Sequence, residues 1–127
     1  MLVKRGCAIP VSAASVRDGL SNTLMVGEKQ TNPNYLGRSG GDNEPWVNSG
    51  WDQDQLRFGN LTYTPAPDSA HPAEPPTYWS NRFGSSHPTI FDGVLGDGSV
   101  RAFSFTIEPE TLRRICVRND NQPVTLP

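Results

Sequence analysis

Asp97-Gly98, preceded by Gly96 and set between two apolar runs, constrains this chain more than any other feature. Residues 90–95 and 99–105 have strand character, and an Asp-Gly pair between such runs is a strong hairpin signal. With Asp97 and Gly98 as a two-residue turn, Gly96 pairs with Ser99 and Val94 with Arg101. That register puts Ile90, Val94, Phe103 and Phe105 on one face, and Phe91, Leu95, Val100 and Ala102 on the other. Apolar groups on both faces predict a hairpin in the middle of a sheet. Asp92 and Arg101 then lie diagonally on the first face as a modest cross-strand pair.

A short helix is predicted after the hairpin. Pro109 suits the first helical position, where its missing N–H costs nothing. Glu108 and Glu110 stand at the positive end of the helix dipole, and Arg113 and Arg114 near the negative end. Leu112, Ile115 and Cys116 form an i, i+3, i+4 stripe that packs on the hairpin, with Ile107 stapled onto Leu112.

The rest of the chain carries little apolar material. Leu, Ile, Val and Phe together number 27 of 127 residues, beside 12 glycines and 12 prolines. Such a chain has a thin core and much loop. Residues 23–26 read as a short buried strand, 32–62 as a long loop with at most one short strand, and the proline-rich 64–77 as an extended surface strap. The expected fold is α+β: a small antiparallel β-sheet with a central hairpin, a short C-terminal helix and long loops. Residues 1–14 form a poorly defined N-terminal segment, 15–120 a single domain and 121–127 a polar tail. A formal charge of −2 argues against a nucleic-acid partner or an anionic membrane surface. No run approaches the roughly 20 apolar residues that span a bilayer, so membrane insertion by this chain is not expected. Residues 1–10 lack the apolar region of a secretory signal, which predicts a chain that stays inside the cell or has lost its leader. Cys116 is expected as a buried free thiol; the alternative, a disulfide with Cys7, would contribute roughly 4 kcal/mol.

Chemistry-bearing residues are few. His71 and His87 are the only histidines, and both precede proline. A triad built on Ser85 or Ser86 with His87 is disfavoured, because no Gly-x-Ser-x-Gly elbow is present and adjacent residues rarely hold nucleophile and base in geometry. His87 and Asp97 lie too far apart along an extended strand to form a dyad. The acidic loop residues Asp42, Glu44, Asp52 and Asp54 are candidate calcium ligands, set against a solvated polar loop. Trp46, Trp51, Trp79 and Tyr78, with Tyr63, are either a platform for a sugar or partner, or core packing. Asn60-Leu61-Thr62 matches the short glycosylation pattern.

The stretch Phe83-Gly84-Ser85-Ser86-His87, followed after nine residues by Asp97-Gly98-Ser99-Val100, resembles a bacterial family. It is the prepilin-type processing-associated family, defined by a His-x9-Asp-Gly C-terminal motif. Three other segments are similar to the same family: residues 17–23, which include Asp18, Gly19, Asn22 and Thr23, with Val26-Gly27-Glu28; Asn43-Glu44 with Gly50-Trp51-Asp52 and Arg57; and Pro109-Glu110-Thr111-Leu112. The resemblance implies the C-terminal, globular portion of a pseudopilin-like protein, with family relatives in the cell envelope or outside the cytoplasm. An older label for the family suggests solute binding. The function expected from this resemblance is a non-catalytic structural or interaction domain linked to a type II secretion or pilus-like assembly, with protein partners and no cofactor other than calcium. A carbohydrate or small-solute binding module is the alternative, and a metal-dependent hydrolase the third reading.

Overall fold

The computed structural model describes residues 11–38, 42–45, 54–69, 79–122 and 124–126. Over these described residues it is an α+β fold: a three-stranded antiparallel sheet, a two-stranded parallel ladder, one short helix and otherwise loops and 3-10 turns. Strands are β1 (Leu24–Gly27), β2 (Ala66–Pro67), β3 (Gly84–Ser85), β4 (Ile90–Leu95) and β5 (Val100–Ser104), and the helix is α1 (Pro109–Ile115). The main sheet has the order β1-β4-β5, so β4 is central and both of its neighbours are edges.

The hairpin forms where expected, but in a register shifted by one residue. Phe91 pairs with Phe103 and Val94 with Val100. The loop is three residues long: Leu95 N–H donates to Ser99 O (2.9 Å), Gly98 N–H donates to Leu95 O (2.9 Å), and Gly98 adopts φ +86°. A three-residue loop closed by a glycine with left-handed angles is a regular alternative to the two-residue turn. Because side chains alternate along a strand, the shift turns every β5 side chain to the other face. Phe103 therefore joins Phe91 and Leu95 on one buried face, while Val94 and Val100 share the outer face. Asp92 lies across from Ala102, and Arg101 across from Gly93, so the expected diagonal pair of Asp92 and Arg101 is absent.

The inner layer is a stack of rings. Phe83 stacks on Phe91 (centroids 5.5 Å apart), and Phe91 stacks on Phe103 (5.3 Å). Offset stacked aromatic pairs contribute beyond the area they bury. Gly27 and Gly93 are paired on this same face. A Cβ on Gly27 would come within 2.9 Å of the Phe83 ring, and one on Gly93 within 2.6 Å of Leu24 and 3.0 Å of Phe103. These positions hold glycine because rings and a leucine occupy the space above them. The core closes with Leu95, Ile107, Leu112 and Ile115. Each fully buried side chain of this kind stabilises the fold by about 1.5–3 kcal/mol.

Helix α1 starts as anticipated, with Pro109 in the first turn and the Glu108 carboxylate accepting from Thr111 N–H at 2.6 Å. Leu112 and Ile115 are fully buried and Ile107 is buried beside them. Cys116 carries a free thiol, and burial pushes its pKa up to about 12. Strand β1 is a half-exposed edge rather than the buried strand expected, because among the described residues no strand pairs with its outer side. Within the strap, Ala66–Pro67 pairs in parallel with Gly84–Ser85. Residues 124–126, within the stretch 121–127 read from sequence as a polar tail, return to the body: Val124 and Leu126 pack against the core.

Two predictions follow from this packing. Gly93→Ala should cost about 1–3 kcal/mol through overpacking, whereas Gly98→Ala, with open space around it, should cost about 1 kcal/mol through left-handed backbone strain alone. Urea unfolding of the two variants checks the order. The second concerns Glu110, whose carboxylate accepts from Arg113 and Arg114 at 2.8 Å and is thereby lowered from 4.5 to about 2. A depressed carboxyl pKa stabilises the folded state above the unfolded value, and that contribution is lost as the pH falls through the folded value. The thermal midpoint of the native chain should therefore fall more steeply between pH 4.5 and 2 than that of Glu110→Gln, the curves converging near pH 2. Parallel curves would refute the assignment.

Candidate functional site

The motif residues divide between the two ends of the sheet. At the hairpin tip, Asp97 Oδ1 accepts from Ser99 N–H (2.9 Å) and from Ser99 Oγ–H (2.7 Å), which lowers its pKa. Against this tip lies the turn formed by residues 18–23. Gly19 adopts φ +95°, Asn22 Nδ2 donates to Asp18 O (3.1 Å), and Thr23 Oγ1 donates to Gly19 O (3.0 Å). Thr23 O in turn accepts from Gly96 N–H at 2.9 Å, which ties the turn to the hairpin loop. The Asp18 carboxylate accepts from Asp120 N–H (2.9 Å) and Asn121 N–H (2.7 Å), and Arg17 N–H donates to Arg118 O (2.7 Å). Asp18, Gly19, Asn22, Thr23, Asp97 and Gly98 thus lock an N-terminal turn, the hairpin loop and the C-terminal segment together.

At the other end, β1 changes partner. Glu28 N–H donates to Asp92 O (3.0 Å), continuing the pairing with β4, while Glu28 O accepts from Gly84 N–H (3.0 Å). Lys29 then bridges to Phe83 and Gln30 N–H donates to Arg82 O. Glu28 is therefore the residue shared by β4 and the β3 segment. The loop leaving β3 is held by Ser85, whose Oγ–H donates to Ile90 O (2.7 Å) and accepts from His87 N–H (3.0 Å). This bracing carries His87 to the sheet end: His87 Nε2 lies 3.9 Å from Glu28 Oε1 and 4.0 Å from Asp92 Oδ2. Glu28 Oε2 accepts from Asp92 N–H at 2.7 Å, which leaves Oε1 facing the imidazole. All three side chains are roughly half exposed, and their ligand atoms lie within 4.8 Å of one another.

His87 and Asp97 lie beyond opposite ends of β4, a strand of about 20 Å at roughly 3.3 Å per residue. Ser85 is committed to two loop hydrogen bonds, so it does not present a hydroxyl activated by His87. In the acidic loop, the Asp42 carboxylate accepts from Lys29 Nζ (2.8 Å) and Gly37 N–H (2.9 Å). Asp54 Oδ1 accepts from Asn43 and Glu44 N–H. These carboxylates close loops with donors of the chain itself, and Glu44 is exposed. Asp52, Trp46, Trp51, Tyr78 and His71 lie outside the described residues. Trp79, considered for a ligand platform, is placed inside: it is buried and stacked on Tyr35 with centroids 5.6 Å apart. Asp92 was read from sequence only as a cross-strand partner of Arg101 and not as a site residue; its place across from Glu28 reveals that role.

Asp18→Ala leaves two backbone N–H groups without their charged acceptor and should cost about 1.5–3 kcal/mol. Limited proteolysis should then cut preferentially after residue 118, an effect absent from the parent chain; unchanged cleavage would refute the clamp.

Residues 1–110 match the profile of a family described as a protein of unknown function, DUF1559 (SBP_bac_10). No curated protein and no solved structure matches the chain. With this match over most of its length, the chain belongs to the DUF1559 family.

Proposed function

We propose that the chain is a non-catalytic structural or interaction domain of an exported, pseudopilin-like protein working in a type II secretion or pilus-like assembly. The observation that carries this reading is the use of the motif residues at the hairpin tip. Asp18, Asn22, Thr23 and Asp97 bind the chain's own backbone, which is the work of a scaffold. The outer sheet face supplies a surface for a protein partner. Val26, Val94 and Val100 stand side by side across the three strands, with Val26 56% and Val100 67% exposed. A contiguous apolar row on an open sheet face is a feature of interaction surfaces.

One observation favours a second reading, a small-solute module. A cleft of about 700 Å³ is lined by Leu20, Leu24, Val26, Leu56 and Phe83 among others. That volume suits a small ligand, and its lining suits an apolar solute better than a sugar.

The test uses the full-length protein in its own host. Val100→Asp should leave the fold and thermal midpoint nearly unchanged, because the position is exposed, while abolishing cross-links from the outer face to pilin-like partners in the envelope. Retained cross-links would count against that face. Turnover of peptide, ester or glycoside substrates that disappears in His87→Ala would overturn the non-catalytic reading. A thermal shift with apolar solutes, lost on narrowing the cleft, would favour the second one.

A further inference from the structure

We propose that Glu28, His87 and Asp92 form a binding site for a divalent transition-metal ion of the zinc type. The inference rests on this side-chain cluster and is independent of the partner-binding reading.

Three observations support it. The first is the donor set. One imidazole nitrogen and two carboxylate oxygens are ligands that zinc accepts, whereas a site for a hard cation such as calcium is built from oxygens alone. The second is geometry. At 3.9 and 4.0 Å the His87 nitrogen is too far from either carboxylate for a hydrogen bond, yet all three ligand atoms lie within 4.8 Å of one another. Donors bonded to one zinc at about 2.0–2.2 Å in tetrahedral array stand about 3.4 Å apart, so the His87 contacts close by about half an ångström and the two carboxylates, within 4.8 Å of each other, by at most about 1.4 Å. The third is electrostatic. Continuing the pairing of Gly27 with Gly93 by one residue sets Glu28 directly across from Asp92 on the outer face. Like charges directly opposite one another destabilise a strand pair, and a cation between them reverses the sign. Among the described residues, no lysine or arginine side chain pairs with either carboxylate. Lys29 bonds Asp42, and Arg101, across from Gly93, falls on the opposite face by the strand's alternation. Among the described residues, the ion pairs of Glu28 and Asp92 both lead to His87.

The site also has bracing around its ligands. Ser85 Oγ holds the His87 backbone, and Asp92 N–H orients the Glu28 carboxylate. Such outer contacts fix ligand orientation in metal sites. The remaining coordination positions face solvent and would be filled by water. Bound there, the ion ties the end of β1, the loop after β3 and the start of β4 into one corner.

The experiment is zinc titration of the whole 127-residue chain by calorimetry, with cobalt(II) as a spectroscopic probe. One zinc per chain is expected, with a rise of several degrees in thermal midpoint, since an ion bound only by the folded state stabilises it. His87→Ala and Asp92→Asn should each weaken binding by roughly tenfold or more. Glu44→Gln, in the acidic loop, should leave binding unchanged. The cobalt complex should show ligand-field bands that vanish in His87→Ala, and circular dichroism of each variant verifies its fold. Absence of binding at millimolar zinc overturns the proposal. Equal affinity in His87→Ala also does so, because the ion then sits elsewhere in the chain. So does a preference for calcium that is abolished by Glu44→Gln and not by His87→Ala.

Discussion

Three phenylalanine rings lying face to face over two glycines hold this small protein together. Phe83, Phe91 and Phe103 come from the segment before β4, from β4 and from β5, so their stack ties three stretches of chain into one layer. The stack needs flat backbone beneath it, which Gly27 and Gly93 supply. Helix α1 then has a surface to pack on, and Leu112 and Ile115 complete the core. With so few large apolar residues, no second cluster of comparable size is present among the described residues to compensate for losing this one.

The polar architecture follows from that layer. At the hairpin tip, side-chain oxygens and amides satisfy turn backbone that the thin core leaves near the surface. Asp18 is the most connected of them, joining residues near the start of the described chain to Asp120 and Asn121. At the opposite end, the same strand that covers Gly93 runs past β4 and pairs with residues 82–84. That exchange of partners sets an acidic residue between two strands and brings an imidazole over it. The outer face therefore carries two neighbouring features: a row of valines and, two residues along each strand, the Glu28–His87–Asp92 cluster. A partner seated on the valines would lie beside any ion held by the cluster.

Much of the local structure was legible in residues near one another in the chain. Asp97-Gly98 marked the hairpin, Pro109 and the acid–base polarity marked the helix, and the leucine–isoleucine stripe marked its buried face. Each signal reflects backbone preference or periodicity over a few residues. The register was not legible, because a two-residue and a three-residue Asp-Gly loop suit the local sequence equally. The choice between them came from pairing Phe91 with Phe103 under the helix. Likewise, Trp79 carries no local sign of its stacking on Tyr35, which depends on a contact across the loop region.

The sequence by itself determined that this chain would be an α+β domain with one tight hairpin, one short capped helix and long loops, because glycine, proline and apolar spacing act locally. Only the tertiary structure decided which face of the hairpin is buried, because burying the aromatic stack selects between two turns that the local sequence suits equally. It also decided that Glu28 and Asp92, 64 positions apart, stand opposite each other beneath His87. Hydrogen-bond pairing between distant strands brings such groups together, and no spacing along the chain records it.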